Sequence, residues 1–130
     1  MIQKFFLVVA LSIFSHANEI IWEDSLKDTV GHKTFVLVEE SYCPWCSRFK
    51  QRVLSDKEVK NALAPYKKII MMKNSWNQEG IAHVRFVPTI IITDGNRGVI
   101  ARHDGYADKD EFLEFLKWAL VKSTNFNKKF

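Results

Sequence analysis

Residues 41–50 read S-Y-C-P-W-C-S-R-F-K and hold both cysteines of the chain, Cys43 and Cys46. Two cysteines at this spacing form a redox pair, half of a metal site, or a local structural bridge. Loop length weighs against the structural bridge. Cross-link stabilisation grows with the loop it closes, and a bridge over two intervening residues constrains the unfolded chain little. Structural zinc usually takes four ligands. Only one C-x-x-C is present, and His32, His83 and His103 are scattered without ligand spacing. Covalent haem attachment requires His directly after the second Cys, where this chain has Ser47. Neither a metal ligand set nor a cofactor beyond the cysteine pair itself is therefore expected. The leading reading is thiol–disulfide exchange, in which the thiolate is the nucleophile. A non-catalytic module, with the cysteines holding a metal or a plain bridge, stands as the alternative.

The flanks assign the two sulfurs. Thr34 to Glu39, T-F-V-L-V-E, is a continuous apolar, β-branched run that suits a strand buried on both faces. Pro44 stands where its missing N–H costs nothing, at the first position of a helix expected over Cys43 to Val53. Cys43 then sits at a helix N-terminus, where unpaired backbone N–H groups and the helix dipole favour the thiolate. Cys46 lies one turn further in and deeper. Cys43 is the expected attacking thiol, and Cys46 the expected resolving thiol.

Outside the motif, Glu19 to Val30 reads as a short amphipathic helix, with Gly31 at its end. Ser55-Asp56-Lys57-Glu58 reads as a capping box that opens a second helix, which Pro65 ends. Lys68 to Lys73 is an apolar strand, and Gln78 to His83 a short helical turn. Thr89 to Thr93 is a strand, Asp94-Gly95-Asn96 a turn, and Val99 to Arg102 the hairpin partner. Asp108 to Val121 is an amphipathic helix. Strands separated by helices and then closed by a hairpin imply an α/β fold: a central mixed β-sheet with helices on both faces. A C-x-x-C beside such a pattern is the sequence cue for a thioredoxin-like redox motif. Val87-Pro88-Thr89 lies at the entrance to the third strand. An X-Pro bond there can be cis, which would leave the Val87 backbone free to pair with an incoming peptide by strand addition.

The composition fits one globular domain: 130 residues, 47% hydrophobic, 26% charged, formal charge +4. Several lysines crowd into the last residues, and no basic stripe with interleaved aromatics appears, so no nucleic-acid partner is expected. The N-terminus carries one Lys, an apolar run from Phe5 to Phe14, and small residues at Ser15 and Ala17. That is the layout of a secretory signal peptide. Residues 1–17 are expected to be cleaved on export, leaving a domain over 18–130. The run is about half of the ~20 residues a spanning helix needs, so no stable membrane insertion is expected after cleavage. Export favours an oxidised pair, because thiols outside the cytosol tend to be oxidised.

Taken together, the strand, the C-P-W-C at a helix start, the later V-P-T before a hairpin, and a final amphipathic helix after glycine resemble the thioredoxin superfamily. The resemblance spans about residues 20–122. More narrowly, S-Y-C-P-W-C-S-R-F-K followed by V-L-S-D-K-E-V, and G-Y-A-D-K-D-E-F-L, are similar to periplasmic thioredoxin-like proteins and to the C-terminal domain of the membrane reductant conductor DsbD. The resemblance implies a thioredoxin fold and a periplasmic thiol–disulfide oxidoreductase with Cys43 and Cys46 as its active pair. Pro44 and Trp45 would tune the potential. Pro88 would be the cis-proline, with Val87 presenting its backbone to substrate. Implied partners are cysteine-containing periplasmic proteins and a DsbD-like membrane donor of electrons. One departure concerns a buried acid six residues before the first cysteine, which assists the resolving thiol in the family. Leu37 occupies that position here. Glu39 and Glu40 are the candidate proton-relay replacements; strand alternation allows at most one to point inward, and the alternative is that both are solvated. Direction is read from the residues between the cysteines. Pro-Trp brings no positive side chain, so the Cys43 thiolate is less stabilised than in the oxidant DsbA, which favours reduction. Valine before the cis-proline occurs in DsbA-type oxidases, which are the alternative.

Overall fold

The computed structural model describes residues 22–127. The expected signal peptide, residues 1–17, lies outside them. Four strands form one sheet in the order β2-β1-β3-β4: β1 (Thr34–Glu39), β2 (Lys67–Met72), β3 (Thr89–Thr93) and β4 (Val99–Asp104). β1 pairs parallel with β2, from Thr34↔Lys67 to Glu39↔Met72. It pairs antiparallel with β3, from Thr34↔Thr93 to Val38↔Thr89. β3 and β4 form the closing hairpin. The sheet is mixed, as expected.

A parallel pair needs a crossover. Helix α1 (Pro44–Phe49), a π-helical continuation (Lys50–Leu54) and α2 (Lys57–Leu63) supply it between β1 and β2. β1 is fully buried from Thr34 to Val38, with neighbours on both sides and helices on both faces. Alternation along it separates two cores. Phe35 and Leu37 join Phe49, Val53, Val59, Leu63, Phe112 and Leu116 from α1, the π segment, α2 and α4 (Lys109–Asn127). Val36 and Val38 join Ile69, Met71, Ile91 and Trp76, the last from α3 (Lys73–Gln78). Fully burying each of these aliphatic and aromatic side chains contributes roughly 1.5–3 kcal/mol.

Three local expectations are corrected. No helix forms over the described part of Glu19 to Val30; Glu19 to Ile21 lie outside the described residues. Glu23 instead bridges in parallel to Ile69, donating its N–H to the Lys68 carbonyl at 3.0 Å and accepting from the Ile70 N–H at 2.8 Å. The apolar residues that mimic helical spacing divide between the two cores: Trp22 packs with Phe35, and Leu26 packs with Val36 and Ile69. An edge segment serving both faces outweighs the helical pattern.

The second helix starts one residue later than the capping box predicts. Asp56 is the cap, accepting from the Glu58 and Val59 N–H groups at 2.9 and 3.2 Å. The Ser55 hydroxyl turns back to the Gln51 carbonyl of the preceding helix. The π segment runs on to Leu54 and claims Ser55 before it can cap.

The helical turn expected over Gln78 to His83 lies earlier, as α3. Chain direction changes directly after Met72, because Trp76 must reach the second core. Gly80, at φ 67°, follows the helix in the left-handed region that glycine adopts without steric cost.

The Cys43–Cys46 candidate site: a disulfide at a helix start beside a cis-proline

The strand β1 ends at Glu39 and the chain reverses through Ser41 and Tyr42. Tyr42 takes φ 59°, an uncommon conformation for a residue with a Cβ, and its ring is fully exposed. Cys43 is then extended and caps α1 itself: its Sγ accepts the Cys46 N–H at 3.1 Å. Its carbonyl accepts the Ser47 N–H at 3.1 Å. Pro44 occupies the first turn of α1. Cys43 and Cys46 are joined in a disulfide, with Cα atoms 5.2 Å apart. The two sulfurs differ in access. Cys46 is 1% exposed, whereas Cys43 is only partly buried.

Trp45 is half exposed. Its ring lies 5.2 Å from that of Tyr106, and the Arg48 guanidinium sits 4.7 Å over its face. Phe49 underpins the group, edge-on to Phe112 at 5.4 Å and to Tyr106 at 6.3 Å. The active helix is thereby fastened to the core through its buried aromatic, which keeps Cys43 at the rim.

Facing this helix start is the loop that enters β3. The Val87–Pro88 bond is cis. Pro88 is buried, and its carbonyl accepts the Gly105 N–H at 2.8 Å. Because Thr89 pairs with Val38, Pro88 stands at the end of the sheet where Glu39 leads towards Cys43. Three side chains brace the loop upstream. Trp76 Nε1 donates to the Ala82 carbonyl at 2.6 Å. Asn77 donates to the Val84 carbonyl at 3.0 Å and accepts the Val84 N–H at 2.8 Å. Arg102 donates to the His83 carbonyl at 2.8 Å. Downstream, the Thr89 hydroxyl donates to the Phe86 carbonyl at 2.6 Å.

Glu39 and Glu40 serve different faces. Glu39 shares the parity of Leu37, and its carboxylate pairs with Lys50 at 2.7 Å, with the side chain 17% exposed. Glu40 pairs with Lys73 at the start of α3, also at 2.7 Å, and is 42% exposed. Leu37 itself is fully buried in the core that contains Phe49.

Cys43, Cys46, Pro44, Trp45, Val87 and Pro88 therefore gather at one end of the sheet. Sequence reasoning missed Arg48, Tyr106, Trp76, Asn77 and Arg102. Arg48 is legible, being three residues after Trp45 on one helix face. The other four reach the site through tertiary packing and carry no local signal.

Chemically, the arrangement presents one accessible sulfur, one shielded sulfur within bonding reach, and an ordered backbone segment alongside. The sequence profile of the thioredoxin-like domain family matches residues 27–120. No curated protein matches the chain. Among solved structures, it is similar to the periplasmic thioredoxin SoxS from Paracoccus pantotrophus, at 17% identity and TM-score 0.61, over 70% of this chain and 98% of that one. It is similar to the DsbH oxidoreductase at 17% identity and TM-score 0.63, over 79% and 85% of the two chains. It is also similar to the DsbD C-terminal domain of Neisseria meningitidis, at 14% identity and TM-score 0.54, over 71% and 84%.

Proposed function

This chain belongs to the thioredoxin-like domain family, its Cys43–Cys46 pair makes it a thiol–disulfide oxidoreductase, and from that premise we propose that it works in the periplasm, reducing disulfides of exported proteins. The observation that carries the mechanism is the unequal access of the two sulfurs. In the reduced protein the Cys43 thiolate attacks one sulfur of a substrate disulfide. A Cys43–substrate mixed disulfide forms, and the other substrate sulfur leaves as a thiolate, taking up a proton. Cys46, shielded from competing disulfides, loses its proton and attacks Cys43 Sγ. The second substrate thiol is released and the Cys43–Cys46 bond forms. Two electrons pass to the substrate. A membrane dithiol donor of the DsbD kind would restore the dithiol by the reverse exchange.

The Val87 backbone, held beside Pro88, would pair with the extended substrate segment while the sulfurs react. Glu39 is the better placed candidate for taking the Cys46 proton, since it shares the face of Leu37 and is the more buried of the two acids. Pro44 and Trp45 supply no charge to stabilise the Cys43 thiolate, which supports the reducing direction. The N-terminal pattern of residues 1–17 and the periplasmic thioredoxin among the similar structures support the location.

Equilibration of the Cys43–Cys46 pair against defined thiol buffers tests the direction. A potential near the thioredoxin level, about −270 mV, marks an electron donor; one near the DsbA level, about −120 mV, marks an oxidase and overturns the reducing role. Cys43→Ser must abolish disulfide reduction.

A further inference from the structure

The charges around the cysteine pair are unevenly paired. Glu39 is matched by Lys50 at 2.7 Å, Glu40 by Lys73 at 2.7 Å, and Asp104 by Arg102 at 2.8 Å. The carboxylates that border the site at this end of the sheet are thus each neutralised within the protein. Among the described residues, Arg48, Arg52 and Arg85 are exposed arginines in no ion pair, and two of them, Arg48 and Arg85, lie on the segments that carry Cys43 and Pro88. Arg48 is on the helix that Cys43 opens, held over the Trp45 ring. Arg85 is on the loop that ends at Pro88, next to Phe86, which is 69% exposed.

Both groups are displayed from fixed supports. The Trp45 face orients the Arg48 guanidinium, and stacking leaves its charge and its donors available to a carboxylate. The backbone on either side of Arg85 is anchored: His83 by Arg102, Val84 by Asn77, and Phe86 by Thr89. The exposed apolar surface nearby, Trp45 and Phe86, has no charge of its own. A segment lying along Val87 towards Cys43 therefore passes from the loop that carries Arg85 and Phe86 to the helix that carries Trp45 and Arg48.

We propose that this site selects disulfides whose cysteine is flanked by Asp or Glu together with an apolar residue. The proposal rests on the oxidoreductase reading and names the substrate class for it. Carboxylates on the incoming segment complete the pairing that the protein leaves open, and unlike charges across a rim act mainly on the rate of encounter. A Lys- or Arg-flanked cysteine meets like charge on both sides.

The experiment is a single-turnover reduction, so that no external donor is needed. The protein is pre-reduced and freed of reductant. It is mixed with either of two peptides of equal length, each holding one disulfide and one apolar neighbour, flanked by Glu in one and by Lys in the other. Each rate is normalised to that of the same peptide with 2-mercaptoethanol, which removes the intrinsic effect of the flanking charge on disulfide reactivity. The Glu peptide is expected to react roughly 10-fold faster at low ionic strength, with the advantage falling several-fold near 0.5 M salt. Arg48→Glu combined with Arg85→Glu reverses the preference. Arg48→Gln combined with Arg85→Gln removes it, and far-ultraviolet circular dichroism confirms that these exposed substitutions leave the fold intact. Equal normalised rates, or a preference that survives both pairs of substitutions, overturn the proposal and leave the oxidoreductase reading standing. Reaction with neither peptide overturns the oxidoreductase reading, and this one with it.

Discussion

Asn77 and Val84 exchange two hydrogen bonds: the Val84 N–H donates to Asn77 Oδ1 at 2.8 Å, and Asn77 Nδ2 donates to the Val84 carbonyl at 3.0 Å. One side chain on α3 thereby fixes both backbone polar groups of Val84, three residues before Val87. Val84 is 1% exposed, so its backbone has little access to water as a replacement partner.

Asn77→Ala is expected to cost about 1–3 kcal/mol, because it leaves buried backbone groups unpaired. Urea unfolding measures this. Asn77→Asp keeps the acceptor for the Val84 N–H and loses the donor to its carbonyl, so it should not restore full stability. If the clamp also serves the substrate segment, Asn77→Ala raises KM for a protein disulfide while the reaction with a small aromatic disulfide is unchanged.

Cys46→Ala is expected to stop the cycle halfway. Cys43 still attacks, but nothing resolves the mixed disulfide. A covalent adduct with substrate proteins should accumulate on non-reducing gels and vanish with dithiothreitol. Cys43→Ser should give no adduct, because Cys46 is shielded. Adducts formed equally by both variants would contradict the assignment of roles.

Glu39→Gln is expected to slow the resolving step several-fold and to flatten its dependence on pH, with the first attack little changed. Glu40→Gln, on the opposite face and more exposed, should leave the pH profile as in the parent. The rate of Cys43–Cys46 closure from a pre-formed mixed disulfide, followed across pH, separates the two. An unchanged Glu39→Gln profile removes Glu39 from the proton path.

Asp56 makes a pH-dependent contribution to stability. Its pKa is held below the ordinary 3.8, chiefly by the hydrogen bond from the Val59 N–H and further by Lys109. A lowered folded-state value means that the contribution is present above 3.8 and is lost as pH falls through the folded-state pKa. Asn also caps helices, so Asp56→Asn removes the charge and leaves the cap. The stability gap between parent and variant, read by denaturant unfolding, should be present at neutral pH and close in the acid range. A gap that persists in acid would assign the effect to geometry rather than charge.

Much of this molecule was legible in local pattern. The run Thr34 to Glu39 is apolar on both faces and could be little other than a central strand. Pro44 marks the start of the helix that Cys43 caps. Asp94-Gly95-Asn96 forms the hairpin turn, with Asp94 Oδ1 accepting from the Asn96 and Gly98 N–H groups at 2.8 Å each. The failures share a cause. Trp22 and Leu26 have helical spacing, yet each fills a different core, and a periodicity cannot say which neighbours a side chain will meet. Ser55 carries the right residue type for a cap and lost the position to Asp56 because the preceding helix used its hydroxyl.

The amino-acid sequence by itself determined the chemistry: two thiols at exchange spacing, a helix start that stabilises an anion, and a proline at the mouth of a strand. These are short-range facts, set by neighbours within a turn. Only the tertiary structure decided which glutamate lies on the face of the active helix and which arginines stay unpaired. Those depend on the register of β1 against β2 and β3, which brings Glu39, Lys50, Asn77, Val87 and Arg102 to one end of the sheet. Contacts between residues so far apart along the chain are fixed by packing, on which local sequence is silent.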